Sequence, residues 1–165
     1  MPTDRLFRLP AAIALLAALV AAGPAAADTG LPLPRFVSVR AGEANLRAGP
    51  GDQYPIEWVL TRRGMPVEII AEFDHWRKIR EADGTQGWLH KALLSGQRTV
   101  LVTGEVRILR REPSATAAAA ARLEPGVIAE LRRCDASWCE VEVAGRRGWL
   151  RRTEFWGVYP GEKID

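Results

Sequence analysis

The sequence predicts an all-β chain of two tandem small β-barrels, preceded by a helical signal peptide. Two observations carry this reading. One is an internal repeat, which is sought before any motif. Leu46-Arg47-Ala48-Gly49-Pro50 returns as Leu109-Arg110-Arg111-Glu112-Pro113, Gly64 as Gly126, Trp76 as Trp138, and Gly87-Trp88-Leu89 as Gly148-Trp149-Leu150. The four landmarks keep their order at offsets of 61 to 63 residues. The other is the texture inside each copy: short β-rich runs broken by turn residues. Phe36-Val37-Ser38-Val39 alternates apolar and polar, and Met65 to Phe73 is apolar and β-branched. Ala82-Asp83-Gly84 and Ala144-Gly145 sit where hairpin turns belong. A unit this short, made of a handful of strands, must close on itself to bury a core. The run Ala117 to Ala121 favours helix by propensity. Its place in the repeat predicts a loop and a short strand instead.

The domain plan follows. Residues 1–27 read as a signal peptide, 28–35 as an extended leader, 36–95 and 99–156 as the two barrels, and 157–165 as a tail. Arg5 and Arg8 precede an apolar stretch from Leu9 to Val20, and Ala25-Ala26-Ala27 supplies the small-residue cleavage signature. That stretch is short for a membrane span. The expectation is therefore cleavage after Ala27 and a periplasmic or secreted protein without stable membrane insertion. The whole chain carries a net charge of +3, with acidic residues interspersed among the arginines. That pattern does not argue for nucleic acid.

Asn45-Leu46-Arg47-Ala48-Gly49-Pro50-Gly51, then Gly64, then Trp76 with Ile79, then Gly87-Trp88-Leu89, resemble the bacterial SH3-like (SH3b) domain pattern. The second copy departs from it, with Arg111-Glu112 in place of Ala48-Gly49 and no Asn before Leu109. The resemblance implies an exported, non-enzymatic module associated with cell-wall binding or with targeting a partner in the envelope. It does not name the ligand.

The two cysteines, Cys134 and Cys139, are expected to pair. If Ala136-Ser137 is a two-residue hairpin loop, Cys134 faces Cys139 in a non-hydrogen-bonded pair, close enough for a disulfide. The same register in the first copy sets Glu72 opposite Arg77 around Asp74-His75, an ion pair of modest value. A zinc site would need four ligands, and a redox pair more typically reads Cys-x-x-Cys.

Among the aromatics, Trp88 and Trp149 are shared by both copies and are expected in or at the edge of the core. Trp76 and Trp138 are out of phase with Ile79 and with Val141 and Val143. Either they point outward or a bulge intervenes. Tyr54 and Trp58 fall beside the long loop after Pro50, where the second copy has only Ala. SH3-type grooves use loop aromatics against extended ligands. Tyr54, Trp58, Trp76, His75 and Arg47 are thus the candidate binding residues. Arg47 and Arg110 follow the same Leu in each copy, and a turn-holding role is favoured over carboxylate binding. The pairs Arg132-Arg133, Arg146-Arg147 and Arg151-Arg152 read as a solvated face or as an approach to anionic polymers or headgroups. With no flexible linker, the barrels should pack in a fixed geometry, with Trp156 to Pro160 over the joint.

The functional expectation is an exported, non-catalytic binding module, recognising peptidoglycan or an envelope protein, with no cofactor and no metal. The alternative is a structural or regulatory subunit of an envelope complex without wall binding. An enzyme would need a nucleophile–base or metal constellation. The only histidines, His75 and His90, lie in the other repeat from both cysteines.

Overall fold

The computed structural model describes residues 29–165. The signal peptide expected at 1–27 lies outside them. The described chain forms two seven-stranded antiparallel sheets, one per repeat. The first holds β1 (Arg35–Val39), β2 (Ala44–Arg47), β3 (Ile56–Leu60), β4 (Pro66–Phe73), β5 (Trp76–Arg80), β6 (Gln86–His90) and β7 (Leu94–Ser95). The second holds β8 (Thr99–Val102), β9 (Arg107–Arg110), β10 (Ala119–Leu123), β11 (Ile128–Cys134), β12 (Trp138–Val143), β13 (Arg146–Arg151) and β14 (Phe155–Trp156). Strand order is β3-β2-β6-β5-β4-β1-β7 in one sheet and β10-β9-β13-β12-β11-β8-β14 in the other, the same topology element for element. The alanine run forms strand β10, so tertiary pairing with β9 overrides helix propensity there.

The repeated motifs have structural reasons. Gly64 and Gly126 take positive φ, +80° and +85°, to turn the chain into β4 and β11. Gly87 and Gly148 face the interior, where Leu46 and Leu109 press against the space a side chain would fill. Leu46, Ile79 and Leu89 sit at the centre of the first core, and Leu109, Val141 and Leu150 at the centre of the second. Trp88 and Trp149 are only half-buried. Of the two places expected for them they take the core edge: in Gly-Trp-Leu the glycine and leucine face inward, and strand alternation puts the tryptophan on the outer face.

β5 and β12 pair with β6 and β13 in unbroken register, so Trp76 and Trp138 keep their phase and lie on the face opposite Ile79 and Val141. The register slips on the other partner strand, between Ile69 and Ala71 on β4 and between Leu131 and Arg133 on β11. Past the bulge both hairpins close as expected, with Glu72 opposite Arg77 and Cys134 opposite Cys139. The cysteines form a disulfide with a Cα–Cα distance of 4.1 Å. Its loop is short, so the entropic contribution is modest. We expect Cys134→Ala with Cys139→Ala to lower folding stability by about 2 kcal/mol under oxidising conditions. Denaturant melts of variant and wild type, with and without reductant, check this.

The two barrels meet in a joint. Phe36 of β1 packs against the rings of Trp156 and Tyr159, with centroids 4.8 and 4.7 Å apart. The Tyr159 hydroxyl donates to Glu68 Oε1 at 2.8 Å, and Thr99 Oγ1 donates to the Gly64 carbonyl at 2.7 Å. The Arg62 guanidinium donates to the Gly126 carbonyl. Burial, together with the Glu68 carboxylate, holds the Tyr159 phenol well above its ordinary value. Arg98 clamps the tail through Glu162 and the Gly157 carbonyl while its guanidinium lies over Phe36. The alternation in Phe36–Val39 predicted one wet face. Instead all four residues are buried, because the tail covers the outer side of β1.

Candidate functional site

The first barrel builds its candidate surface from the loop between β2 and β3. Arg47, last residue of β2, turns its guanidinium under that loop. It donates to the carbonyls of Asp52 at 3.0 Å and Tyr54 at 2.8 Å and pairs with the Asp52 carboxylate at 3.3 Å. Arg110 does the same in the second barrel, donating to the Ala117 carbonyl at 2.8 Å. The repeated arginine is therefore a loop clamp. Gly49 lies directly under the Tyr54 ring: a Cβ there would stand 2.4 Å from Tyr54 Cδ1. The Ala-Gly-Pro-Gly run thus seats a tyrosine against bare backbone, which leaves Tyr54 39% exposed.

Beyond the loop, β3 ends the sheet, pairing only with β2. Its residues are exposed on both faces as far as Val59. Trp58 is 61% exposed, and Ile56 and Val59 stand open beside it. An apolar edge strand of this kind is a liability unless something uses it. Register equates Ile56, Trp58 and Val59 with Ala119, Ala121 and Arg122 of β10. The barrel itself therefore does not require large apolar side chains there.

The remaining candidates fall differently. Trp76 is 9% exposed, tucked edge-on against His90 with centroids 5.5 Å apart and 6.0 Å from the Arg47 guanidinium. It supports the loop from beneath. His75 is exposed on the turn at the tip of the β4–β5 hairpin, 3.3 Å from the Asp74 carboxylate and beside His90. The structure thus groups Arg47, Tyr54 and Trp76 through the loop, sets Trp58 on the adjoining edge, and leaves His75 on a hairpin tip. Ile56 and Val59 escaped the sequence reading. The signal that finds them is the contrast with the second copy, applied along all of β3.

At the tip of the same hairpin is a buried charge cluster. The Glu72 carboxylate has no exposed surface and accepts from Arg35, from the Thr29 backbone N–H at 2.9 Å and from the Thr29 hydroxyl. Arg77, 4% exposed, lies 3.2 Å away and also donates to the Asp74 and Trp76 carbonyls. Burial alone would raise the Glu72 pKa. The hydrogen bonds from Arg35 and Thr29 outweigh it, and the carboxyl is held below its ordinary value. Among the described residues, no three His, Cys, Asp or Glu side chains gather as a metal site. No helix there is long and apolar enough to cross a membrane.

The family model for the bacterial SH3 domain matches twice, over residues 40–96 and 104–157. The chain belongs to the bacterial SH3 domain family. Each matched segment covers one of the two sheets except its first strand, β1 in the first and β8 in the second. A comparison with curated proteins returns no match. Similar solved structures include an NlpC/P60 family protein from Bacillus cereus, 15% identical over 76% of this chain and 57% of that one, with a TM-score of 0.34. Two others are NlpC1 and NlpC2 from Trichomonas vaginalis. NlpC1 is 11% identical over 79% of this chain and 48% of its own, with a TM-score of 0.36. NlpC2 is 12% identical over 74% of this chain and 48% of its own, with a TM-score of 0.34. The chain spans about half the length of these structures.

Proposed function

We propose that this protein is an exported, non-catalytic binding module of the bacterial envelope, whose first SH3 domain engages peptidoglycan or an envelope protein. The observation that carries this reading is the open apolar edge of β3, with Trp58 and the loop-seated Tyr54 beside it. Aromatics that are exposed, rigidly seated and not needed by the fold are what interfaces use. Family membership supports a binding role, and the Cys134–Cys139 disulfide supports an oxidising compartment. The cleaved leader expected at 1–27 would agree with both.

The test is sedimentation of the purified chain with isolated sacculi, alongside capture from a periplasmic extract. Tyr54→Ala with Trp58→Ala should weaken binding by about 2 kcal/mol, roughly thirtyfold. Because Tyr54 also packs on Gly49, Trp58→Ala alone serves as the variant that leaves the loop intact. Undiminished binding by both variants would remove the β3 edge from the assignment. Hydrolysis of wall fragments by the wild type would overturn the non-catalytic reading.

A further inference from the structure

The second SH3 domain carries a different chemistry on the matching face. A shallow depression of about 350 Å³ is lined by Arg111, Ala120, Arg146 and Arg147. Most arginines of this domain are committed elsewhere. Arg107 and Arg110 hold backbone carbonyls, Arg132 pairs with Glu130 and Glu142, Arg133 with Glu140, and Arg152 holds carbonyls of the hairpin and tail. Arg147 shares Glu142 at 2.7 Å. Arg111 and Arg146 are exposed, and among the described residues neither side chain makes an ion pair or hydrogen bond. Glu112 is the acidic neighbour in sequence.

The fold does not ask for these arginines. Arg111 donates its backbone N–H to Ala118 as Ala48 does to Pro55, and Arg146 and Arg147 precede Gly148 as Thr85 and Gln86 precede Gly87. The first domain thus stands with Ala48, Thr85 and Gln86 at the same three positions. Arg111, the residue after β9, and Arg146, the first of β13, line one basin, and neither has an internal counter-ion.

We propose that this basin is a binding site for a phosphoryl group. Each guanidinium presents a planar fork that matches phosphate or carboxylate oxygens. A phosphoryl group offers enough oxygens for two forks at once, where a carboxylate fills one. The half-buried methyl of Ala120 leaves the space between them open. This site stands apart from the β3 edge, so its failure leaves the first domain's role untouched.

The experiment uses the purified chain in low-salt buffer with two probes. Pyrophosphate is titrated calorimetrically. Vesicles of phosphatidylcholine, with or without phosphatidylglycerol, are sedimented with the protein. Arg111→Ala with Arg146→Thr installs the residues that the first domain already tolerates, so folding should persist. Binding should fall about tenfold or more in that variant. Arg63→Ala with Lys91→Ala, which removes two charges of the first domain, should bind as the wild type does. Binding of phosphatidylglycerol vesicles alone assigns the phosphoryl group to a lipid headgroup. Binding of pyrophosphate alone assigns it to a free or polymer-borne phosphate. If the wild type holds neither probe, or the Arg111/Arg146 variant binds equally, the proposal is overturned.

Discussion

Glu72→Ala is expected to cost about 3 kcal/mol or more of folding stability, the largest loss among single changes at polar positions of this chain. The carboxylate has no exposed surface, and it compensates Arg77, which is itself almost fully enclosed. Removing the acid strands that guanidinium in the interior, along with the Arg35 guanidinium that it also holds. The Asp74 and Trp76 carbonyls keep two of the Arg77 contacts, which sets the loss at the lower end of the range for broken buried pairs. Arg77→Ala should be milder, because Glu72 retains Arg35 and Thr29. The same carboxylate sets a pH dependence. Its folded pKa lies below the ordinary value of 4.5. Its contribution is therefore fully present above that value and is lost as pH falls through the folded pKa. Chemical denaturation from pH 7 down to pH 3 should show wild-type stability falling in the acid range and Glu72→Ala losing less of it. A flat difference between the two proteins across that range would count against the assignment.

Gly148→Ala is expected to be the more damaging of two changes that look equivalent in the sequence. A Cβ at Gly148 would lie 2.6 Å from Leu109 Cγ and 2.7 Å from the Arg110 carbonyl oxygen. The second contact is backbone, within the strand whose last arginine clamps the β9–β10 loop, and it cannot move without the strand moving. At Gly87 the three nearest atoms all belong to the Leu46 side chain, at 2.5 to 3.0 Å, and no backbone atom comes closer than these. A leucine can change rotamer at modest cost. Gly148→Ala should therefore lose about 3 kcal/mol and Gly87→Ala about 1–2 kcal/mol. Thermal melts of the two variants read the difference directly, and a reversed order would refute the backbone argument.

Much of this was written locally. The hairpin register that faces Cys134 with Cys139 and Glu72 with Arg77 follows from a two-residue loop, and two copies of one hairpin checked each other. Arg47 and Arg110 were legible as loop clamps because both copies keep them after the same leucine. What escaped the sequence depended on partners far along the chain. That Trp156 to Pro160 lie over the joint was legible, but that their rings cover the outer side of β1 was not, because nothing near Phe36 announces it. The repeat places Trp88 and Trp149 in the core or at its edge without choosing; the edge follows from the small glycine and the leucine on either side, which occupy the interior. The β3 edge was half seen: Tyr54 and Trp58 stood out as aromatics, while Ile56 and Val59 looked like ordinary strand. Arg111 and Arg146 lie on different elements, so their convergence needed the fold.

The joint has a consequence for any ligand long enough to touch both domains. Phe36, Tyr159 and Thr99 fix one domain against the other, so the β3 edge and the arginine basin keep a set separation and direction. Once such a ligand is held at one face, the other face meets it at a high effective concentration, without the entropy loss of ordering a loose linker. Two sites of ordinary strength on this frame would act as one bivalent grip. Ligands whose repeat spacing mismatches the frame would gain nothing from the second site, so with both proposed sites in use the joint would act as a ruler that selects among polymers.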